Sequence, residues 1–215
     1  MIRLYVFGEG ETEEAVVNLV LAPHLAARNV FAFARSLGGR SRWERWRHFM
    51  DRQMKQERGD AVRFTTIFDL YRLPKDFPEC AALQVLSDTD QRANRLEQAM
   101  RADLDHRFLI PYIQRHEIEA LVLASLDELE TRLPHARAGI ATLRKDIGGQ
   151  GPEDVNDGTE THPSKRLERC VPGYGKTADG PAVIQQAGLD RVRAACPRFH
   201  AWVTTLESLA EPVTP

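Results

Sequence analysis

Two acidic side chains follow stretches that are expected to form β-strands. Glu9 stands between two glycines directly after the alternating apolar run of residues 2–7, and Asp69 closes the run of residues 62–69. The carboxyl ends of parallel strands meet at one rim of a sheet, where open α/β sheets bind ligands. Two carboxylates at that rim suit Mg²⁺, which prefers oxygen ligands. The simpler alternatives are that Asp69 only begins a turn and that acids near the first helix only complement its dipole.

A second set of ionisable residues, His116, Glu117 and Glu119, lies in a segment that is otherwise apolar. On a helix His116 and Glu119 share a face, whereas on a strand Glu117 and Glu119 do. Buried ionisable groups must be paired or bound to metal to offset their desolvation. We therefore take His116 as a catalytic candidate and both glutamates as candidate metal ligands. An internal hydrogen-bonded network is the alternative.

A third set of residues could bind phosphate. Ser164, Lys165 and Arg166 stand at an expected helix start, and Lys176 follows in the next segment. Backbone donors at a helix start together with cationic side chains bind phosphate well, although a solvated basic turn would look the same. Residues 40–58 add arginines interleaved with two tryptophans, a pattern of nucleic-acid binding or of an ordinary helix core.

The elements that must position these residues alternate between strand and helix. Strand-like runs at 2–7, 30–34, 62–69 and 108–113 are separated by helical patterns at 12–28, 42–57 and 88–104. This order predicts an α/β fold with a mainly parallel sheet of about four strands and helices on both faces. A helical pattern runs from His116 to about Ser125. Short helices follow it, among them helices from about Ser164 and from about Pro181, and they predict an α-helical C-terminal extension. We expect a core at 1–125 and an extension at 126–215 that pack as one structural unit.

Composition excludes several classes of protein. The chain has 215 residues, 42% of them hydrophobic, and a formal net charge of −2, so it is not a polycation. Its three cysteines show no C-x-x-C spacing, which argues against a zinc ribbon or a disulfide framework and favours a reducing cytoplasm. We find no signal peptide and no apolar stretch near the roughly 20 residues that span a bilayer. A cytoplasmic protein with no membrane association is expected.

Several stretches of the chain together resemble a known family. They are residues 9–13 (Glu-Gly-Glu-Thr-Glu), 69–78 (Asp-Leu-Tyr-Arg-Leu-Pro-Lys-Asp-Phe-Pro), 110–120 (Ile-Pro-Tyr-Ile-Gln-Arg-His-Glu-Ile-Glu-Ala), 156–158 (Asn-Asp-Gly) and 163–166 (Pro-Ser-Lys-Arg). On these stretches the chain resembles the bacterial family catalogued as domain of unknown function 4276, which looks like a divergent Toprim (topoisomerase–primase) domain.

The Toprim resemblance implies a role for each rim carboxylate. A glutamate after the first strand would do acid–base work in phosphodiester chemistry, and an Asp-x-Asp motif would hold Mg²⁺. Glu9 and Asp69 match these positions, but Tyr71 stands where the second aspartate should be. Asp76, Glu117 or Glu119 could supply the missing carboxylate, and we prefer Glu119. Glu9 and Asp69 are candidates both for catalysis and for metal binding.

These observations together predict a Mg²⁺-dependent or Mn²⁺-dependent Toprim-like nuclease that cleaves phosphodiester bonds in nucleic acid. Relatives of this type resemble the nuclease partners of ATPases in anti-phage defence, which implies an ATPase partner here. Two alternatives stay open. One is a catalytically weakened binding module for an ATPase or a nucleotide, motivated by Tyr71. The other is a phosphotransfer enzyme that acts on a small substrate.

Overall fold

A parallel β-sheet forms the centre of the computed structural model, which describes residues 1–39, 41–155, 158 and 161–210. Its strands are β1 (Ile2–Gly8), β2 (Val30–Ser36), β3 (Val62–Asp69), β4 (Leu109–Ile110) and β5 (Ile113–Gln114). The strand order is β2-β1-β3-β4, and β5 also pairs with β3. Every pairing is parallel, which confirms the predicted sheet. Asn156 and Asp157, which the family resemblance includes, lie outside the described residues.

The fourth predicted strand, residues 108–113, is split into β4 and β5 at Pro111. Proline has no N–H to donate to a ladder, so pairing with β3 stops there. Thr66 of β3 fills the gap, because its Oγ1 donates to the Tyr112 carbonyl at 2.8 Å and accepts from the Tyr112 amide at 2.8 Å. The chain therefore resumes pairing at Ile113 and delivers the segment after β5 to the end of β3.

Helices surround the sheet and account for most of the chain after β5. They are α1 (Glu11–Val16), α2 (Ala22–Ala26), α3 (Trp43–Gln56), α4 (Cys80–Leu83), α5 (Thr89–Leu104), α6 (Glu119–Leu123), α7 (Leu126–Arg132), α8 (Arg137–Ile147), α9 (Pro163–Cys170), α10 (Lys176–Ala187), α11 (Leu189–Ala195) and α12 (Pro197–Glu207). A π-helical turn at Val17–Leu21 joins α1 to α2 just before Pro23. Short 3₁₀ turns lie at Leu70–Arg72, Pro134–Ala136, Pro152–Asp154 and Ser208–Ala210.

Alternation along β1 places side chains on both faces of the sheet. Leu4 and Val6 point into one core, and Tyr5 and Phe7 point into the other. The first core is shared with α1, α2 and the C-terminal helices, and the second with α3 and α5. Helices therefore cover both faces, as the sequence predicts, because both sides of a parallel sheet must be buried.

The C-terminal helices pack directly on the sheet. Trp202 of α12 stacks on Tyr112 with ring centroids 4.3 Å apart, and its Nε1 donates to Thr65 Oγ1 of β3 at 2.9 Å. At Gly139 of α8 a Cβ would lie 1.7 Å from the Cys170 carbonyl oxygen, so only glycine allows α9 to approach α8 this closely.

The predicted α/β fold with a C-terminal helical region is confirmed, and the division of the chain at residue 125 stays a prediction. No helix of the described residues is both long and apolar enough to cross a membrane.

A candidate metal centre at the carboxyl end of the sheet

Three buried carboxylates converge beyond the end of β3. Asp69, Glu117 and Glu119 each offer an oxygen within 4.8 Å of the others, and each residue is at most 1% exposed. The sequence proposed all three as metal ligands, and the structure brings them together. His116 and Glu9, the other candidates at this rim, are not part of this three-residue set.

Asp69 is the last residue of β3 and has one engaged and one open oxygen. Its Oδ1 accepts a hydrogen bond from the Ile118 amide at 2.8 Å. Its Oδ2 is buried and accepts no hydrogen bond within the described part of the chain. The nearest cations, Lys176 Nζ at 3.8 Å and Arg72 Nε at 4.0 Å, are too distant for one. Burial raises the pKa of Asp69 well above its ordinary value, and Lys176 opposes that shift.

Glu9 follows β1 and lies beside Asp69. Its Oε1 accepts a hydrogen bond from the Asp69 amide at 2.9 Å. Burial, reinforced by the nearby charge of Glu13, raises the pKa of Glu9 to about 7. The residue lines a cleft of about 530 Å³, and Arg72 and Lys176 also line it. Glu9 is thus placed to exchange a proton near neutral pH with a molecule in the cleft.

A tight turn at His116 brings both glutamates to Asp69. The Glu117 amide donates to the Arg115 carbonyl at 3.1 Å, and His116 between them has a φ of 66°. A three-residue turn with positive φ at a non-glycine residue is rare and strained. The Tyr71 amide donates to the His116 carbonyl at 3.1 Å and holds the turn against the end of β3.

This turn differs from both conformations that the sequence left open. Helix α6 begins only at Glu119, so the predicted helix from His116 is wrong in its first turn. His116, Glu117 and Glu119 therefore do not share a face in the way that a continuous helix or a continuous strand would arrange them. The backbone reversal at His116 directs Glu117 and Glu119 toward the same carboxylate.

Glu117 is held in its ionised form by the start of α9. Its Oε2 accepts from the Ser164 amide at 2.9 Å, and its Oε1 accepts from Ser164 Oγ at 3.1 Å. His162 Nδ1 lies 2.9 Å from Oε2, and the His162 ring stacks on Tyr71 with centroids 4.9 Å apart. Burial alone would raise the pKa of Glu117, but the bonds from Ser164 and His162 outweigh it and lower that pKa.

Glu119 is paired with Lys176, the first residue of α10. Lys176 Nζ donates to Glu119 Oε2 at 3.0 Å and lies 2.8 Å from Oε1. Burial raises the pKa of Glu119, and Lys176 opposes that shift. The sequence predicts that this helix begins near Pro181. The helix begins five residues earlier because Asp179 Oδ2 accepts from the Gly175 amide at 2.7 Å.

The residues predicted to bind phosphate do not form one group. Ser164 is buried against Glu117, and Lys176 faces the carboxylates. Lys165 pairs with Glu168 at 2.6 Å, and Arg166 donates to the Thr161 carbonyl at 2.5 Å. Lys165 and Arg166 therefore point to neighbours on or just before α9 rather than to the carboxylates.

Two residues that the sequence analysis did not single out join the site, Arg72 and His162. Arg72 Nε lies 3.8 Å from Glu117 Oε1 and 4.0 Å from Asp69 Oδ2. Arg72 lies three residues after Asp69, and this spacing in the sequence could have indicated that the two side chains lie close together in a turn. His162 has no such signal, because nothing in the sequence shows that it meets Glu117, 45 residues away.

The donor set suits a hard divalent cation. All three converging side chains offer carboxylate oxygens, and Asp69 Oδ2 is a buried acceptor without a hydrogen bond among the described residues. Mg²⁺ and Mn²⁺ take oxygen ligands, whereas the nitrogen and sulfur ligands typical of zinc are not part of this set. The open oxygen satisfies its need for a partner if a cation binds there.

The strained turn generates a stability prediction. His116→Gly and His116→Ala both remove the ring, but only glycine adopts φ of 66° without cost. We expect the glycine variant to be more stable than the alanine variant by about 1 kcal/mol in denaturant unfolding. Thr142, which is exposed on α8, is the control position. There the variant Thr142→Ala should be more stable than Thr142→Gly by about 1 kcal/mol, because alanine favours a helix interior. The same order of stability at both positions would contradict the strained turn.

Comparison with known proteins identifies the family. No curated protein matches the chain at a significant level. The C-terminal region of the Burkholderia pseudomallei OLD protein is similar in structure, with 14% identity, a TM-score of 0.49, and coverage of 96% of this chain and 98% of that chain. The C-terminal region of the Xanthomonas campestris pv. campestris OLD protein is also similar, with 14% identity, a TM-score of 0.43, and coverage of 95% and 98%. The model for a domain of unknown function, DUF4276, matches residues 8–207, and the chain belongs to that family.

Proposed function

We propose that this chain is a divalent-metal-dependent nuclease that cleaves phosphodiester bonds in nucleic acid. The observation that carries the proposal is the convergence of Asp69, Glu117 and Glu119 within 4.8 Å in a buried position. Burying carboxylates so close together is unfavourable unless cations neutralise them. Closely spaced buried carboxylates of this kind are typical of a site that binds a metal ion.

In this proposal Asp69, Glu117 and Glu119 hold Mg²⁺ or Mn²⁺. When bound, the ion acts as a Lewis acid on a phosphate oxygen. Glu9 is assigned to proton transfer rather than to the metal, because it lies outside the converging set and its pKa is raised to about 7. A general base works best when its pKa is close to the operating pH.

The remaining side chains bind and orient the substrate. Arg72 and Lys176 line the cleft with Glu9 and carry the positive charge that a phosphate needs. His162 and Ser164 keep Glu117 ionised and oriented. For His116 we propose a role through its strained backbone, which directs both glutamates. In hydrolysis, water attacks phosphorus and its proton passes to Glu9, while the bond from phosphorus to the sugar oxygen breaks and that oxygen takes a proton from solvent.

The resemblance of the sequence to Toprim domains supports this assignment. Glu9 follows β1 and Asp69 ends β3, which agrees with the roles that the resemblance implies for them. Tyr71 does not supply the second aspartate, but Glu117 and Glu119 bring two carboxylates to Asp69. The ATPase partner, the anti-phage role and the cytoplasmic location belong to the proposal and rest on the sequence alone.

A second candidate function is a binding module without chemistry, and the position of Lys176 favours it. Lys176 Nζ lies 2.8 Å from Glu119 Oε1 and 3.8 Å from Asp69 Oδ2. A lysine can neutralise buried carboxylates as a metal does. If Lys176 does so permanently, Mn²⁺ will not bind measurably in calorimetry, and the chain is a scaffold for a nucleotide or a protein partner.

Cleavage assays test the nuclease assignment. Purified protein with Mg²⁺ or Mn²⁺ should cut fluorescent DNA or RNA oligonucleotides. Asp69→Asn should abolish cutting, and Glu9→Gln should slow it on the order of 100-fold or more, the usual loss for a general base. Glu14→Gln, an exposed change on α1, is the matched control and should cut normally. Cutting that survives both site substitutions would contradict the assigned roles.

The raised pKa of Glu9 generates a prediction about pH. When the chain unfolds, Glu9 ionises near its ordinary value of 4.5, but when folded only near about 7. The folded state therefore binds more protons, and Glu9 makes the metal-free protein less stable as pH rises through this range. Stabilisation by Mn²⁺ should grow over the same range, because metal ligands must be deprotonated.

Thermal melts with and without Mn²⁺ at a series of pH values check this prediction. In Glu9→Gln the metal-free loss of stability between pH 4.5 and about 7 should be smaller than in the wild-type protein. Glu14→Gln should follow the wild-type protein. A stabilisation by Mn²⁺ that does not change with pH would contradict the account.

A further inference from the structure

A second cleft adjoins the candidate metal centre at Arg72. Its volume is about 710 Å³, and Arg42, Tyr71, Leu73, Pro74 and Lys75 are among its lining residues. Arg72 lines both this cleft and the one that contains Glu9. Arg72 also lies 4.0 Å from Asp69 Oδ2, so one cation of the second cleft lies beside the carboxylates as well.

The second cleft carries a net positive charge, and two of its three cations form no ion pair among the described residues. Arg42, Arg72 and Lys75 face one lining carboxylate, Asp76. Asp76 Oδ1 accepts from the Trp43 amide at 3.0 Å and is thus occupied at the start of α3. Arg42 and Lys75 are exposed, and within the described part of the chain neither forms an ion pair. Two solvent-facing cations without carboxylate partners are suited to bind an anion.

The walls of the second cleft are held in place before any ligand binds. Phe77 packs edge-on against Trp43 with centroids 4.6 Å apart, and its amide donates to the Pro74 carbonyl at 3.0 Å. Tyr71 is fixed by its stack on His162 and by its amide bond to His116. A preformed site loses less entropy on binding than a flexible one.

The mixture of cations and apolar groups indicates the ligand. Tyr71 and Leu73 are half-buried and offer apolar surface beside these cations, and a single strand of nucleic acid presents exposed bases between phosphates. Duplex nucleic acid hides its bases in the stack, so it would use the cations and leave the apolar surface unused.

We propose that the second cleft binds a single-stranded segment of the nucleic acid next to the phosphate that is cleaved, with Arg42 and Lys75 contacting its phosphates. This inference rests on the proposed function, because it takes nucleic acid as the substrate. It assigns phosphate binding to residues other than Lys165 and Arg166, which are engaged on or just before α9.

Equilibrium binding tests this proposal separately from catalysis. The full chain, without divalent metal and with chelator, is titrated into a fluorescein-labelled single-stranded oligonucleotide, and anisotropy is measured over a range of salt concentrations. A substitution that removes one cation from a phosphate should reduce the slope of log K against log salt by about 0.7 in magnitude. Lys75→Gln and Arg42→Gln should each show this reduction.

Matched controls remove the same charge elsewhere. Lys145→Gln on α8 and Arg95→Gln on α5 are exposed and line neither cleft, so they should keep the wild-type slope. An unlabelled single strand should compete better than the same sequence as a duplex. Unchanged slopes in both cleft variants, no binding at all, or a preference for duplex or for free nucleotide would overturn the proposal.

The two proposals fail in different ways. If no cleavage is found but the cleft variants show the reduced salt dependence, the second cleft is supported and the nuclease assignment fails. If cleavage depends on Asp69 but the salt dependence of binding is unchanged in the Arg42 and Lys75 variants, the nuclease assignment is supported and the proposed role of the second cleft is wrong.

Discussion

The mutual repulsion of the buried carboxylates is the constraint on which the rest of this site depends. Asp69, Glu117 and Glu119 lie within 4.8 Å of one another, where little solvent screens their charge. Each is compensated differently. Glu117 is ionised by bonds from Ser164 and His162, Glu119 is paired with Lys176, and Asp69 keeps one oxygen open. The open oxygen is the part of the charge balance that a bound cation would complete.

The residues that compensate the charge of the three carboxylates come from elements that are distant in the chain. Strand β3 supplies Asp69, the turn after β5 supplies the glutamates, α9 supplies Ser164, and α10 supplies Lys176. Gly139 lets α8 and α9 approach closely, and Trp202 ties α12 to β3, so the C-terminal helices support the same rim. The helical extension is therefore part of the structure that positions the site.

The sequence predicts well what local periodicity controls. Strand β3 is predicted to the residue, because the segment from Val62 to Phe68 is rich in strand-forming residues and a turn follows Asp69. The position of Glu9 beside Asp69 follows from parallel pairing alone. The turn at His116 could not be predicted, because its positive φ is imposed by contacts with Tyr71 and Asp69 rather than by its own residue type. The pairing of His162 with Glu117 is likewise a tertiary contact with no local signal.

The most direct measurement is a crystal structure of the protein soaked in Mn²⁺, with anomalous data collected at the manganese edge. We expect an anomalous peak bound by Asp69, Glu117 and Glu119, with Lys176 moved away from Glu119 toward the cleft. The absence of a peak at these carboxylates, with Lys176 Nζ still in contact with Glu119, would contradict metal binding, because Lys176 would then be the permanent partner of the cluster.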